Sequence, residues 1–376
     1  MIPFNVPCVV GGEEKLIQEA LTQSKLSGNG PFGKKCTDWL ENYLGCERAF
    51  LTPSCTAALE MAALLTEAGP EDEVIMPSYT FVSTANAFAL RGADIRFVDI
   101  DPSTMNIDPV QIEQAITERT KAIVVVHYAG VSCEMDEIMR LADERDIWVV
   151  EDAAQALTSH YKGKPLGTFG HLSAFSFHET KNYVCGEGGA LIINHSPFIE
   201  RAEMIQEKGT NRAQFARGMV DKYTWRDIGS SYLLSELNAA YLYKQFEQID
   251  TINESRLRAW NFYKELLKEV MAIDGMEGPV IPEEANHNAH MFYLKCRDGE
   301  ERSELMNFLK EHDVIAVPHY VPLHSSYAGQ VYGMFAGEDR FTTQDSERIL
   351  RLPLYYGITE EDVRYVVKRI QLFYQA

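Results

Sequence analysis

Long apolar runs are missing from this chain of 376 residues. No stretch reaches the roughly 20 consecutive apolar residues that a membrane-spanning helix needs. Met1-Ile2-Pro3-Phe4 lacks the charged-then-apolar pattern of an export leader, so a cytoplasmic location is expected. Paired cysteines are missing too. The seven cysteines, Cys8, Cys36, Cys46, Cys55, Cys133, Cys185 and Cys296, are scattered, odd in number and form no CxxC pair. That argues against a disulfide framework or a zinc site and fits a reduced compartment. Positive charge is scarce: 35 Lys and Arg stand against 55 Asp and Glu, for a net charge of −20. Nonspecific partnership with nucleic acid or with anionic membranes is thereby disfavoured. A small phosphorylated ligand is not, because it responds to local donors and helix ends. The plain meaning of the acidity is solubility. Short repeats and low-complexity tracts are absent as well.

What is present is an ordinary globular composition, long enough for one large core and a smaller domain. Strand candidates are Ala49–Thr52, Glu73–Met76, Ile95–Val98, Ala122–Val126, Ile147–Val150, Leu172–Phe177 and Ala190–Ile193. They are short, β-branched or aromatic, and bounded by turn residues. Several are apolar on both faces, as strands covered by helices on each side must be. Helices are expected between them at Thr56–Thr66, Ser83–Arg91, Pro109–Thr117 and Glu134–Glu144. The alternation predicts an open, mostly parallel sheet of seven strands in the α/β class. Ligands collect at the carboxyl ends of such strands. After Gly189 the rhythm changes. A polar, loop-rich stretch covers Lys208 to Tyr232, then a long helical pattern runs from Leu234 to about Leu267. A strand at Met291–Lys295 and helices at Ser303–Glu311 and Glu360–Tyr374 follow. This predicts a large domain over residues 1–250 and a small α/β domain over 251–376.

Three segments after strands carry chemistry. Pro53-Ser54-Cys55-Thr56-Ala57-Ala58-Leu59 starts an apolar helix with Ser54 or Cys55 near its cap. Its free backbone N–H groups make a seat for an anion, though a plain helix cap explains the pattern too. Val149-Val150-Glu151-Asp152-Ala153-Ala154-Gln155 delivers Asp152 to a strand end, where it could hold a ring nitrogen protonated or merely cap the next turn. Gln155 lies close enough to reach the same ligand. Phe175-Ser176-Phe177-His178-Glu179-Thr180-Lys181 places Lys181 on a polar turn just before Gly186-Glu187-Gly188-Gly189. Single lysines are usually solvated. Together the segments supply an amine for a Schiff base, an acid for a pyridine nitrogen and a phosphate seat, the set that pyridoxal 5′-phosphate (PLP) needs.

These blocks, with Leu26-Ser27-Gly28, Gly30-Pro31-Phe32, Pro77-Ser78-Tyr79-Thr80-Phe81 and Tyr320-Val321-Pro322-Leu323-His324, resemble the DegT/DnrJ/EryC1/StrS sugar aminotransferases nearly end to end. The resemblance implies PLP-dependent transferase fold type I, the aspartate aminotransferase-like fold. It implies a homodimer with active sites near the interface. Carried over by position, Lys181 is the Schiff-base lysine and Asp152 the pyridinium partner. Gln155 approaches the ring's O3′, Phe81 stacks on the ring, and Ser54, Cys55, Thr56 and Ser176 hold the phosphate. Many relatives read Gly-Tyr-Asn-Tyr-Arg where this chain reads Gly229-Ser230-Ser231-Tyr232-Leu233. The Asn that reaches the partner's PLP phosphate is thus replaced by the shorter Ser231. A closer likeness in Glu73–Arg91, Ser176–Asn182 and Gly209–Tyr232 implies a dTDP-sugar substrate. dTDP-4-keto-6-deoxy-D-glucose would become dTDP-4-amino-4,6-dideoxy-D-galactose with L-glutamate as donor, in enterobacterial common antigen synthesis.

Weaker expectations place Tyr79, His319 and His324 at the substrate. Tyr223 and Trp225 are further candidates for a sugar–nucleotide pocket, and Lys208 and Arg212 for a diphosphate; packing or solvated surface explains each equally well. His287-Asn288-Ala289-His290 resembles a ligand cluster, but no carboxylate or cysteine pattern accompanies it, and no metal is expected. Two alternatives stay open beside the 4-keto reaction. One is transfer to a 3-keto nucleotide sugar. The other is a noncatalytic regulator that keeps the fold, which the intact Lys181–Asp152 pair disfavours. A sugar dehydratase is disfavoured because such relatives carry histidine in place of the lysine.

Overall fold

The computed structural model describes residues 1–375. Two amphipathic helices, α1 (Glu13–Thr22) and α2 (Pro31–Leu44), precede the first strand. In α2, Pro31 opens the first turn and Gly45, with φ 69°, closes the last. Phe32, Cys36, Leu40 and Leu44 are buried at four-residue spacing, which lays one stripe of the helix on the core. The expected strands and helices follow: β1 (Arg48–Thr52), α3 (Cys55–Leu65), β2 (Glu73–Pro77), α4 (Val82–Ala89), β3 (Asp94–Val98), α5 (Pro109–Ala115), β4 (Thr120–Val126), α6 (Met135–Asp143) and β5 (Trp148–Asp152). Next come the two-residue strands β6 (His160–Tyr161) and β7 (Lys164–Pro165), then β8 (Leu172–Ser176), β9 (Gly189–Ile193) and α7 (Ile199–Gln206). The polar stretch after Lys208 contains one short helix, α8 (Arg212–Ala216).

The main sheet runs β1-β9-β8-β5-β4-β2-β3, with one more strand, β12 (Gly333–Phe335), beyond β3. Pairings between β2, β3, β4, β5 and β8 are parallel, while β9 is antiparallel to both its neighbours. Successive side chains point to opposite faces. Ile75, Ile123, Val125 and Val149 therefore join one core cluster, and Val74, Met76, Val124 and Val150 the other. Both faces are covered, so these strands are apolar along most of their length. The registers Thr52↔Gly189, Gly189↔Ser176 and Asp152↔Ala174 bring the ends of β1, β8 and β5 to one edge.

The helical pattern from Leu234 to Leu267 is two helices, α9 (Glu236–Glu247) and α10 (Ile249–Leu266), broken at Gln248. Periodicity alone cannot see a one-residue break, because the apolar stripe resumes after it. The C-terminal core gathers Trp260, Tyr263, Phe292, Leu305 and Val366 between α10, α11 (Gly299–Glu311), α14 (Glu360–Gln375) and the antiparallel pair β11 (Phe292–Lys295) and β13 (Ile349–Leu352). β10 (Ala285–Asn286) pairs with β6, and α12 (Tyr327–Tyr332) and α13 (Thr342–Arg348) flank the edge strand β12 (Gly333–Phe335). Besides the β10–β6 pairing, two segments cross the expected division near residue 250. β12 adds an eighth strand to the main sheet beside β3, and Ile2 bridges to Val314. At three residues, β12 is too short for alternation to reveal it.

Candidate active site

The carboxyl edge of the main sheet opens on a cavity of about 790 Å³. At its β1 side, Ser54 caps α3, its Oγ accepting from the Ala57 N–H at 3.1 Å. The Cys55 and Thr56 N–H groups have no partner among the described residues. Thr56 Oγ1 meets Ser83 Oγ at 2.7 Å. The helix start fits against β9 only because residue 189 is glycine: a Cβ there would lie 2.5 Å from Cys55 N. Ser176, at the end of β8, lines the same wall.

Asp152 stands at the end of β5 and is buried. Thr84 Oγ1 donates to its Oδ2 at 2.7 Å and the Ala154 N–H to its Oδ1 at 3.2 Å. Burial raises its pKa above the usual carboxylate range, against those two donors and the charge of Lys181. A cation at its free edge would hold it ionised. Lys181 follows β8 on a turn pinned from below: Asn182 Nδ2 donates to Asn288 O at 2.9 Å, and His290 Nδ1 meets Asn182 Oδ1 at 2.9 Å. Its side chain is half-buried because it faces the cavity. Nζ has no hydrogen bond or ion pair among the described residues. Burial lowers its pKa, the charge of Arg351 acts in the same direction, and Cys55 and Asp152 oppose both. A neutral amine is a nucleophile and a base; an ammonium is neither.

Gln155 is held at both ends. Its Oε1 accepts from the Ala129 N–H at 2.7 Å and its Nε2 donates to the Tyr320 hydroxyl at 3.1 Å. Tyr320 stacks on His319 with centroids 3.5 Å apart, and His319 Nδ1 meets the Tyr128 hydroxyl at 2.9 Å. Phe81 stands at the mouth, 54% exposed, with its ring centroid 6.1 Å from that of Tyr320.

Ser54, Cys55, Thr56, Phe81, Asp152, Gln155, Ser176, Lys181 and His319 thus meet in one cavity. Other expected residues do not join them. Tyr79 is buried, hydrogen-bonded to Tyr128 at 3.2 Å, and does not line the cavity. An aromatic beside a motif reads the same in sequence whether it packs below a site or faces it. His324 is also a correction: its Nδ1 meets Ser78 Oγ at 2.7 Å and its Nε2 meets Asp339 at 3.2 Å, so it fastens a C-terminal turn to the end of β2. Ser231 is exposed and bridges Glu207, outside its own chain's cavity. Tyr223 and Trp225 are exposed away from it, and Arg212 pairs with Glu207 at 3.3 Å. His287 packs on Trp260 with centroids 4.3 Å apart, while His290 lines the cavity. Sequence reasoning missed Thr84, Tyr320 and Arg351. Arg351 had a signal, being a charge inside the apolar run Ile349-Leu350-Arg351-Leu352.

The donor set fits PLP. Two free amides and three hydroxyls suit a phosphate, a buried carboxylate in want of a cation suits a pyridinium, and an unpaired amine suits an aldehyde. Comparison with known proteins agrees. Residues 8–371 match the DegT/DnrJ/EryC1/StrS aminotransferase family. The pleiotropic regulatory protein of Geobacillus stearothermophilus is 35% identical over 320 residues, covering 85% of this chain and 82% of that one. GDP-perosamine synthase of Escherichia coli O157:H7 is 31% identical over 374 residues, covering 99% and 98%. Among solved structures, DesV of S. venezuelae in complex with a ketimine intermediate superposes with TM-score 0.90 at 27% identity, covering 100% of this chain and 99% of that one.

Proposed function

This chain belongs to the DegT/DnrJ/EryC1/StrS aminotransferase family, which depends on PLP, and we propose that it moves the amino group of L-glutamate onto the keto carbon of dTDP-4-keto-6-deoxy-D-glucose. The product is dTDP-4-amino-4,6-dideoxy-D-galactose. One observation carries the reading: in a single cavity of about 790 Å³, an amine without an intrachain partner shares the wall with a buried carboxylate that lacks a cation. A regulator that merely kept the fold would have no use for this arrangement, in which both groups are costly to bury. The sugar follows from the blocks Glu73–Arg91, Ser176–Asn182 and Gly209–Tyr232, which resemble dTDP-4-amino-4,6-dideoxygalactose transaminases. The perosamine synthase relative, named for a GDP-linked sugar, supports the nucleotide-sugar class.

PLP supplies an electron-accepting ring and a carbonyl group through which an amino group passes between two substrates. Lys181 would hold it by its amine, Asp152 by the ring nitrogen, and Ser54, Cys55, Thr56 and Ser176 by the phosphate. Gln155 and Phe81, on the same cavity, would meet its O3′ and its face. With its amine free, Lys181 Nζ would take the proton from the donor's Cα and, in the second half-reaction, move a proton from the cofactor to C4 of the sugar. A base positioned in this way contributes roughly 10²- to 10⁴-fold in rate. Asp152 keeps a positive charge where electrons must flow. A second copy of the chain closes the mouth, where Phe81 and Val321 are 54% and 72% exposed. The test is a coupled assay with L-glutamate and dTDP-4-keto-6-deoxy-D-glucose, with the product identified by NMR. An amine at C4 in the axial position is expected. An amine at C3, or none on the sugar, overturns the substrate assignment.

A further inference from the structure

His287-Asn288-Ala289-His290 reads as one cluster in sequence, yet the fold places the protons of its two histidines on opposite nitrogens. His287 Nδ1 accepts from the Ala289 N–H at 3.1 Å, so its proton is on Nε2, and its ring packs on Trp260. His290 is the reverse. Its Nδ1 meets Asn182 Oδ1 at 2.9 Å, while Asn182 Nδ2 donates to Asn288 O at 2.9 Å. A backbone carbonyl can only accept, which turns the Asn182 amide with its oxygen toward the ring. His290 therefore donates from Nδ1, and Nε2 keeps its lone pair. That nitrogen has no partner among the described residues, and it is not sealed in, because the ring lines the cavity.

The backbone that carries this ring is clamped. Ala289 has φ 50°, in the left-handed region that alanine rarely adopts. Its carbonyl and that of His290 accept from Arg256 at 3.2 and 2.7 Å, and Asn288 Nδ2 donates to Gln155 O and Leu157 O, each at 2.8 Å. Backbone strain of this kind persists only where the surroundings over-determine it, and it gathers at functional sites. Burial, and after it the charges of Lys181, Arg256, His319 and Arg351, push the pKa of His290 well below the usual histidine range. None of these groups is a carboxylate, so the ring stays neutral and its lone pair stays available. A second, narrow void of about 10 Å³, bordered by Ser176, Lys181, Asn182 and His290, lies beside the main cavity. It has room for one group the size of a water or an amine. Lys181 is the donor that matches this acceptor. It precedes Asn182, which His290 grips, it borders both spaces, and among charged groups it acts most strongly on the ring.

We infer that His290 is a positioning residue whose Nε2 receives the amine of Lys181 whenever that amine is not bonded to the cofactor. The inference rests on the aminotransferase reading above. A free Nζ donates one N–H to the ring, which stops the amine from swinging and leaves its own lone pair for the proton it must take. Once it carries that proton, Nζ is an ammonium, and the hydrogen bond to His290 becomes charge-assisted and stronger. A carboxylate in the same place would raise the pKa of the amine and keep the proton. A neutral ring supports the ammonium in passing and then lets the proton go.

The first test needs no turnover. Protein labelled with ¹⁵N-histidine is loaded either with PLP or with pyridoxamine phosphate, which leaves the Lys181 amine free, and the imidazole nitrogens are read by long-range ¹⁵N–¹H NMR. The His290 signals are those missing from His290→Asn. The Nδ1–H form is expected in both states, with Nε2 moving upfield in the pyridoxamine phosphate state as it accepts a hydrogen bond. Lys181→Met loaded with pyridoxamine phosphate is expected to lose that shift. The second test is kinetic. In His290→Asn, an amide N–H can still meet Asn182, but the acceptor is gone. In His290→Gln, a carbonyl oxygen can stand near the place of Nε2. Both variants are expected to bind PLP with unchanged absorbance. The maximal rate of cofactor bleaching by L-glutamate should fall roughly 10²-fold in His290→Asn, with half-saturation unchanged. The half-reaction with the keto sugar should slow equally, since both need the released amine, and His290→Gln should recover most of the rate. A proton on Nε2 overturns the inference. So does a His290 signal indifferent to the loss of Lys181, a wild-type maximal rate in His290→Asn, or a change in half-saturation alone. If wild type is bleached by no L-amino acid, the proposed function falls, while the NMR comparison still decides the role of His290.

Discussion

Two lysines lie inside this protein, and they are treated in opposite ways. Lys295, in the seam between the C-terminal core and the loop after β3, is 1% exposed and fully engaged. Its Nζ sits 2.8 Å from Asp345 and 3.4 Å from Glu277 and donates to Pro102 O, while Arg348 closes the cluster through the same two carboxylates. Lys181 has no such partners and a lowered pKa. The neighbours Glu151 and Asp152 on β5 repeat the contrast. Glu151, pointing to one face, receives His127 Nε2 and the N–H groups of Gly167, Phe169 and Gly170 at 2.6–2.9 Å. Asp152, pointing to the other, has two donors and a raised pKa. Satisfied charge holds the fold together. Unsatisfied charge is gathered at one cavity, where a ligand completes it, and the fold carries its cost.

The contrast breaks or sharpens most at Lys181. Lys181→Ala is expected to lower turnover at least ~10⁴-fold and to abolish the absorbance of bound cofactor, leaving the melting temperature of the cofactor-free protein unchanged or higher. Near-normal turnover would refute the role. Lys295→Ala is the mirror image. It strands Asp345 and Glu277 beside one remaining cation, and should cost about 3 kcal/mol of stability in denaturant titration. Turnover per folded molecule should hold. If activity falls before stability does, the seam is part of the site and the comparison fails.

Asp152→Asn comes next, with opposite signs for its two readouts. Turnover should fall roughly 10- to 10³-fold, because the ring nitrogen loses the neighbouring negative charge that keeps it protonated. The cofactor should still bind. Stability of the cofactor-free protein should rise at neutral pH. A group whose folded pKa is raised stabilises fully below its unfolded value, about 3.9, and that contribution is lost as pH climbs through the folded value. Removing the charge removes this loss. The variant should therefore gain on wild type as pH rises from 4 toward neutrality, at a limiting slope of roughly 1.4 kcal/mol per pH unit between the unfolded and folded values. A parallel pH dependence in both proteins would mean that Asp152 is already compensated.

How much of this was legible in the sequence depended on distance along the chain. Lys181, Asp152 and Ser54–Thr56 each follow a strand whose apolar run marks its end, so local pattern alone put them at the sheet edge. The covered sheet was legible for the same reason. What local pattern could not supply was contact between distant segments. Thr84 reaches Asp152 from 68 residues away and Tyr320 reaches Gln155 from 165, and the blocks that contain them say nothing of that contact. The break at Gln248 and the three-residue β12 leave too few residues for a period to register. Histidines were ambiguous by nature: His319 faces the cavity and His324 a structural clasp, though only a few residues separate them.

Tyr79 gives the smallest effect and the cleanest separation of packing from contact. It stands in the block Pro77-Ser78-Tyr79-Thr80-Phe81, just before the exposed Phe81, so sequence places it with the substrate. The fold turns it inward, at 1% exposure, with its ring edge-on to those of Tyr320 and His319 at 5.7 and 6.3 Å. Its hydroxyl has one partner, the Tyr128 hydroxyl at 3.2 Å, which also keeps His319 Nδ1 at 2.9 Å. Tyr79→Phe removes one hydrogen bond and leaves Tyr128 satisfied. The expected loss is about 1 kcal/mol in stability, with KM for both substrates unchanged. A rise in KM for the sugar alone would put the hydroxyl on the substrate after all. It would then follow that the floor of the cavity opens when the sugar enters, because in the present geometry the hydroxyl has no path to it.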